Sequence, residues 1–242
     1  FLPLIGWRAI FLSIAALTII CIILVVIFIP GWASKSIPNE QLNENKLSTV
    51  WKNSLFISLV PMGFFTYGGL FAIQTLWAGP WMIRVAGYTP LESAQGLFII
   101  YLSMLISFFC WGYFVPKFSK NINDAIRWLK FGAPINLIVL AIIIYLGPKA
   151  GSIHWAIFIV SSIFLSLAHP AVGMAFSLSN AGKALTSFNL LLFIGAFFMQ
   201  WVMGLIIDAG MSFNLSEINS FKLAMIFVFI TSLFSYFFFI KK

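Results

Sequence analysis

Ile19-Ile20-Cys21-Ile22-Ile23-Leu24-Val25-Val26-Ile27 is apolar at every position. An amphipathic surface helix carries a polar face, and a membrane β-strand alternates polar and apolar over about ten residues. This run does neither, and the charge-free stretch around it extends from 9 to 34. Roughly 20 apolar residues in a helix cross about 30 Å of hydrocarbon. The run therefore reads as the middle of a transmembrane helix. Six more charge-free stretches follow, at 53–83, 93–116, 131–148, 150–182, 184–207 and 223–240. Each reaches the roughly 18 residues that mark a membrane-spanning helix. They predict an all-α polytopic membrane protein with seven transmembrane helices, near 9–29, 54–77, 94–115, 130–147, 153–177, 184–207 and 221–240.

Composition agrees. Of 242 residues, 62% are hydrophobic and 8% charged, where a soluble domain carries about 25% charged residues. Mean hydropathy is +1.04. A water-soluble globule and a disordered chain are both excluded, because one lacks a polar coat and the other lacks polar content. The net charge of +8 comes from 14 basic residues scattered along the chain, which form no stripe for nucleic acid. Cys21 and Cys110 lie inside apolar runs and read as small hydrophobes.

Lys and Arg divide unevenly between the two ends of such a bundle. Lys35, Lys46, Lys52, Lys117, Lys120, Arg127, Lys130, Lys183, Lys241 and Lys242 fall on one side, and Arg8, Arg84, Lys149 and Lys222 on the other. The richer side is expected to be cytoplasmic, with the C-terminus inside and the first helix starting outside. An outside start with no exporting segment, and a first residue that is Phe, lead to the expectation that the chain is the C-terminal fragment of a larger protein. The polar stretch 31–52 is either a solvated loop or a linker between two halves of a larger bundle. The linker is favoured because every other connection is shorter. Leu42, Leu47, Val50 and Trp51 suggest a short interfacial helix at its end.

Several stretches resemble the major facilitator superfamily of transporters. Gly6-Trp7-Arg8-Ala9-Ile10-Phe11 resembles the entry to that family's sixth helix. Gln74-Thr75-Leu76-Trp77-Ala78-Gly79-Pro80-Trp81 resembles the outer end of the seventh in bacterial members. Gly182 to Asn189, continuing to Phe193-Ile194-Gly195-Ala196-Phe197, resembles the eleventh helix and the loop before it. The resemblance implies three parts. Residues 1–30 would be the last helix of a missing N-terminal half, 31–52 the central cytoplasmic loop, and 53–242 a C-terminal six-helix bundle of two inverted three-helix repeats. It also implies secondary active transport of a small solute by alternating access, in a bacterial cytoplasmic membrane. The expected partners are a small-molecule substrate, a coupling proton or ion, the lipid bilayer and the missing half, with no nucleic acid. The family's loop between the second and third helices of each half is altered here. In 112–120, Pro116 stands where the family carries an acid and Ser119 where it carries a glycine. Lys117 and Lys120 then read as positive-inside anchors.

Transporters of this kind hold substrate between interrupted helices at corresponding places in the repeats. Pro61, Gly68 and Gly69 in the first helix of one triplet, with Pro170 and Gly173 in the first helix of the next, are the break candidates. Polar residues inside spans are the second signal. Asn189, Phe193 and Gln200 share one helix face; Ser166 and His169 share another; Tyr67, Phe71 and Gln74 share a third. These eight residues are the substrate-cavity candidates. The amides serve equally well as glue between helices, and the serines as donors to their own helix. His169, the one ionisable group within a span, is either a substrate or proton ligand or a structural histidine beside a proline kink. Trp51, Trp77, Trp81, Trp111 and Trp128 lie near span ends and read as an aromatic belt.

No span contains Asp or Glu, a His-x-x-x-His pair or a Ser-His-Asp set. An intramembrane enzyme is therefore disfavoured, and no cofactor or metal is expected. A seven-helix receptor or retinal protein is the other alternative. Its Schiff-base form is disfavoured because Lys222 sits at the entry of the last span, not inside it.

Overall fold

A computed structural model of the chain describes residues 2–28 and 47–241. These residues fall into two compact units, the first helix and the bundle that follows the linker region. Among them there is no strand. Seven helices are long and apolar enough to cross a membrane, one at each predicted place.

The first unit is α1, Leu2–Phe28, apolar on every face. Ser13 and Thr18 donate to Ala9 O and Ile14 O, which hides both hydroxyls within the helix. Gly6 has φ 72° and ψ 155°, outside helical space, so the continuous spanning segment is Arg8–Phe28.

The second unit opens with α2, Leu47–Lys52, the described part of the expected interfacial helix. Leu42 and most of 31–52 lie outside the described residues. Six long helices follow: α3 (Ser54–Arg84), α4 (Pro90–Phe118), α5 (Ile122–Leu146), α6 (Ser152–Met174), α7 (Leu178–Ser212) and α8 (Glu217–Lys241). Most of their ends overshoot the predicted spans, because a charge ends an apolar run without ending a backbone ladder; α6 instead stops at Met174, three residues short. Polar caps end the ladders instead. Asn53 accepts from the Phe56 amide and Asn121 from the Asp124 amide. Thr89 and Glu92 form a reciprocal capping box at the start of α4.

The core lies between α3 and its neighbours. Trp81 and Trp155 are fully buried and meet edge-on at 5.5 Å, with the Trp81 indole donating to Ala150 O at 3.0 Å. Trp81 is thus a core residue and not part of an aromatic belt. Its distance from the span end predicted the belt, but its direction into the bundle decides. Trp51 and Trp128 are exposed as expected. Asn136 of α5 donates to Phe158 O and Ser161 Oγ of α6, so a buried amide ties these two helices together. Large apolar side chains such as Phe98, Leu105, Phe109, Ile138 and Ile142 are exposed. In hydrocarbon this costs nothing, since lipid tails are as apolar as leucine.

α3 and α6 are irregular in their middles. α3 has wide, π-type turns at Met62–Tyr67 and Ile73–Trp77, and α6 has a tight 3₁₀ stretch at Ser162–Leu167. Pro61 immediately precedes the first wide turn. Pro170 lies three residues beyond the tight one, where its missing N–H leaves Ser166 O without the usual i→i−4 donor. Gly68 and Gly69 are themselves regular helix between the two wide turns, and Gly173 lies in the regular end of α6.

Candidate functional site

α3, α6 and α7 bring the sequence candidates together in two tiers. In the first, His169 Nε2 lies 3.0 Å from Asn189 Oδ1. The imidazole stands edge-on to Phe188 at 5.3 Å and to Tyr67 at 5.8 Å. Tyr67 is buried, and its hydroxyl donates across the bundle to Leu165 O in the tight stretch of α6. A hydroxyl at the end of one broken helix thus occupies a carbonyl in the other. A comparable bond closes the start of the first wide turn, where Ser235 of α8 donates to Pro61 O at 3.0 Å. Irregular backbone persists at membrane depth only where its polar groups are satisfied again in this way.

The second tier lies toward the other end. Gln200 Nε2 donates to Thr75 Oγ1 at 2.8 Å, and Thr75 donates back to Phe71 O. The Trp77 indole reaches Gln200 O at 3.3 Å. Beside them, Gln74 Nε2 lies 2.7 Å from Met104 Sδ, and Tyr101 donates to Gln74 O at 2.8 Å. Asn189 and Gln200 are eleven residues apart, so the tiers are separated by roughly 16 Å along α7.

Between the tiers the backbones of α3 and α7 touch. A Cβ on Gly68 would lie 2.5 Å from the Gly195 carbonyl carbon, and a Cβ on Gly195 would overlap Phe64 O. Only glycine permits this approach. The candidates therefore fall at two levels along α7. They form two polar tiers on either side of a glycine contact.

Two candidates stand apart. Ser166 donates to Ile163 O and accepts from the Trp111 indole at 3.1 Å, which makes it a tie between α6 and α4. Phe193 is 70% exposed, on the open side of α7 between the tiers. Phe71 is half-buried against the core. Thr75, Tyr101 and Met104 were not singled out from sequence as tier partners. Their signal is weak: a threonine and a tyrosine within a span are common, and which way they point depends on the neighbouring helix.

Arg84 pairs with Glu217 at 3.6 Å, and Glu92 is engaged by Thr89. Both side chains of that pair are well exposed, and such a pair contributes about 0–1 kcal/mol. Among the described residues no three His, Cys, Asp or Glu side chains gather to hold a metal.

Seven apolar helices with partnered polar groups between them define the class: an integral membrane protein. Comparison with family models, with curated proteins and with solved structures returns no match.

Proposed function

We propose that residues 53–242 are one six-helix half of a secondary transporter of the major facilitator kind. It moves a small solute by alternating access, with a second half supplying the opposite wall. The observation that carries this reading is the pairing of irregular turns. They occur in α3 and α6, the leading helices of the two three-helix repeats, and the Tyr67–Leu165 bond joins them. Broken helices at corresponding positions are the hallmark of such repeats.

The two tiers suit a rocking mechanism. A rotation centred on the Gly68–Gly195 contact opens one tier as it closes the other. His169 and Asn189 then serve one gate, and Gln200, Thr75 and Gln74 the other. Phe193 faces the path between them. The tiers offer neutral amides, hydroxyls, aromatic edges and one imidazole, which suits an uncharged or weakly charged polar solute better than a strong anion. His169 is the group in this half that can take up a coupling proton. The excess of Lys and Arg on one side of the bundle supports a cytoplasmic C-terminus, in what would be a bacterial inner membrane.

The test is uptake by proteoliposomes carrying the intact protein, screened against small polar solutes with empty vesicles as reference. Asn189→Ala and Gln200→Ala are each expected to lower uptake severalfold at unchanged membrane abundance. Unchanged uptake in both variants would assign the two amides to packing.

A further inference from the structure

The end of the bundle that carries Lys117, Lys120, Arg127 and Lys130 holds a second built feature. Trp111, Phe114, Val115, Phe118, Ser119, Trp128, Phe164 and Leu167 line a half-open cavity of about 250 Å³ between α4, α5 and α6. Its wall presents only carbon. The two indole N–H groups that could have made it polar are turned away: Trp111 donates to Ser166 Oγ and Trp128 to Phe118 O. Water has no partner in such a space, and apolar cavities of this kind stay dry or take an apolar guest.

The cavity adjoins charged crevices. Phe118 and Trp128 also line an adjoining crevice with Arg127, Asp124 and Phe131. Arg127 and Phe131 in turn line a third crevice with Lys130, Asn123, Pro134 and Tyr236. Asp124, the acid within this strip, accepts from the Lys120 amide at 3.1 Å and so is turned to the chain. Lys117 lies 3.8 Å over the Tyr113 ring, farther along α4. Arg127 therefore lines the crevice beside the cavity, and Lys130, whose Nζ lies 5.8 Å over the Phe239 ring, lines the next one.

We infer that this groove binds one anionic phospholipid. An acyl chain fills the cavity between Trp111, Phe118, Trp128 and Phe164, and Arg127 and Lys130 hold the phosphate. An acyl chain fits a carbon-walled cavity, and a phosphate fits paired cations at the membrane surface. Neither part of the groove alone specifies this ligand; their shared lining by Phe118 and Trp128 does. The site is independent of the two polar tiers, so it stands whether or not the tiers transport a solute.

The test uses the intact protein, delipidated in neutral detergent, with dioleoyl phosphatidylglycerol, dioleoyl phosphatidylcholine or soluble glycerophosphoglycerol added back. Native mass spectrometry and thermal unfolding are read together. Phosphatidylglycerol is expected to be retained at one molecule per chain and to raise the unfolding midpoint by several degrees. Phosphatidylcholine and the soluble headgroup should do neither. The double variant Arg127→Gln with Lys130→Gln should keep the lipid-free midpoint and lose at least half of the shift. Equal stabilisation by both lipids, stabilisation by the soluble headgroup alone, or a full shift in the double variant would each overturn the inference. Should the double variant unfold early without lipid, the comparison of the three added compounds on the unmodified protein decides.

Discussion

Gly195→Val is expected to lower the unfolding midpoint sharply and to abolish a monodisperse protein in mild detergent. A Cβ at position 195 meets Phe64 O and lies 2.9 Å from the Phe64 carbonyl carbon. These are backbone atoms, so no rotamer change relieves the overlap, and α3 and α7 must separate. Overpacking that side chains can absorb costs about 1–3 kcal/mol, and this case belongs at the upper end. About 3 kcal/mol is a roughly 100-fold loss in the folded-to-unfolded ratio. Gly112→Ala is the control: no atom lies within 4 Å of a Cβ there, and the helix gains a better helix former. Size-exclusion chromatography and thermal unfolding check both variants. A Gly195→Val protein that elutes and unfolds like the parent would show that the two backbones do not touch.

Tyr67→Phe is expected to change conformational preference more than stability. The ring stays in place against Phe188 and His169. Only the bond to Leu165 O is lost, and that carbonyl keeps the Ala168 N–H as its donor. Hydrogen bonds between membrane helices average about 0.6 kcal/mol and reach about 1.7. The corresponding shift in a two-state equilibrium is roughly 3- to 20-fold. If the bond joins the broken helices in one state of the cycle and not the other, that shift appears in the ratio of states. It can be read as the ratio of thiol labelling from the two membrane faces at a cavity position. An unchanged ratio, with only a small fall in unfolding midpoint, would make the bond a structural tie.

Charge spacing made all seven spans legible, because the bilayer imposes a minimum apolar length that few other structures require. Helix ends were not legible from charge. The starts of α4 and α5 depend on Thr89 and Asn121, whose caps lie outside the charge-free runs. Pro61 and Pro170 pointed to the irregular turns at 62–67 and 162–167, since a proline removes a donor wherever it sits in a helix. The second wide turn, 73–77, has Pro80 three residues beyond it, the same spacing as Pro170 from 162–167, a sign the sequence reading passed over. Gly68 looked like a break and is a contact: a missing Cβ weakens a helix and admits a neighbour equally well, and only the neighbour decides. The facing sides of Tyr67, His169, Asn189 and Gln200 were readable from helical periodicity. Their division into two tiers was not, because it depends on the Gly195 approach of α7 to α3. Trp81 was misplaced for the same reason, its direction being set by Trp155.

The central claim is that the open side of α7 between the tiers lines a water-filled path that opens to either face of the membrane. The direct measurement is thiol accessibility. In the intact protein, Cys21 and Cys110 are replaced by alanine and Phe193→Cys is introduced, with Ile138→Cys on α5 as a lipid-facing reference. A membrane-impermeant maleimide is then applied to right-side-out and to inverted vesicles. A maleimide needs an ionised, hydrated thiol, so a site in lipid or in a packed interface stays unlabelled. The expected result is labelling of Phe193→Cys from both faces and of Ile138→Cys from neither. Labelling of Phe193→Cys from neither face, or from one face only, would contradict the account.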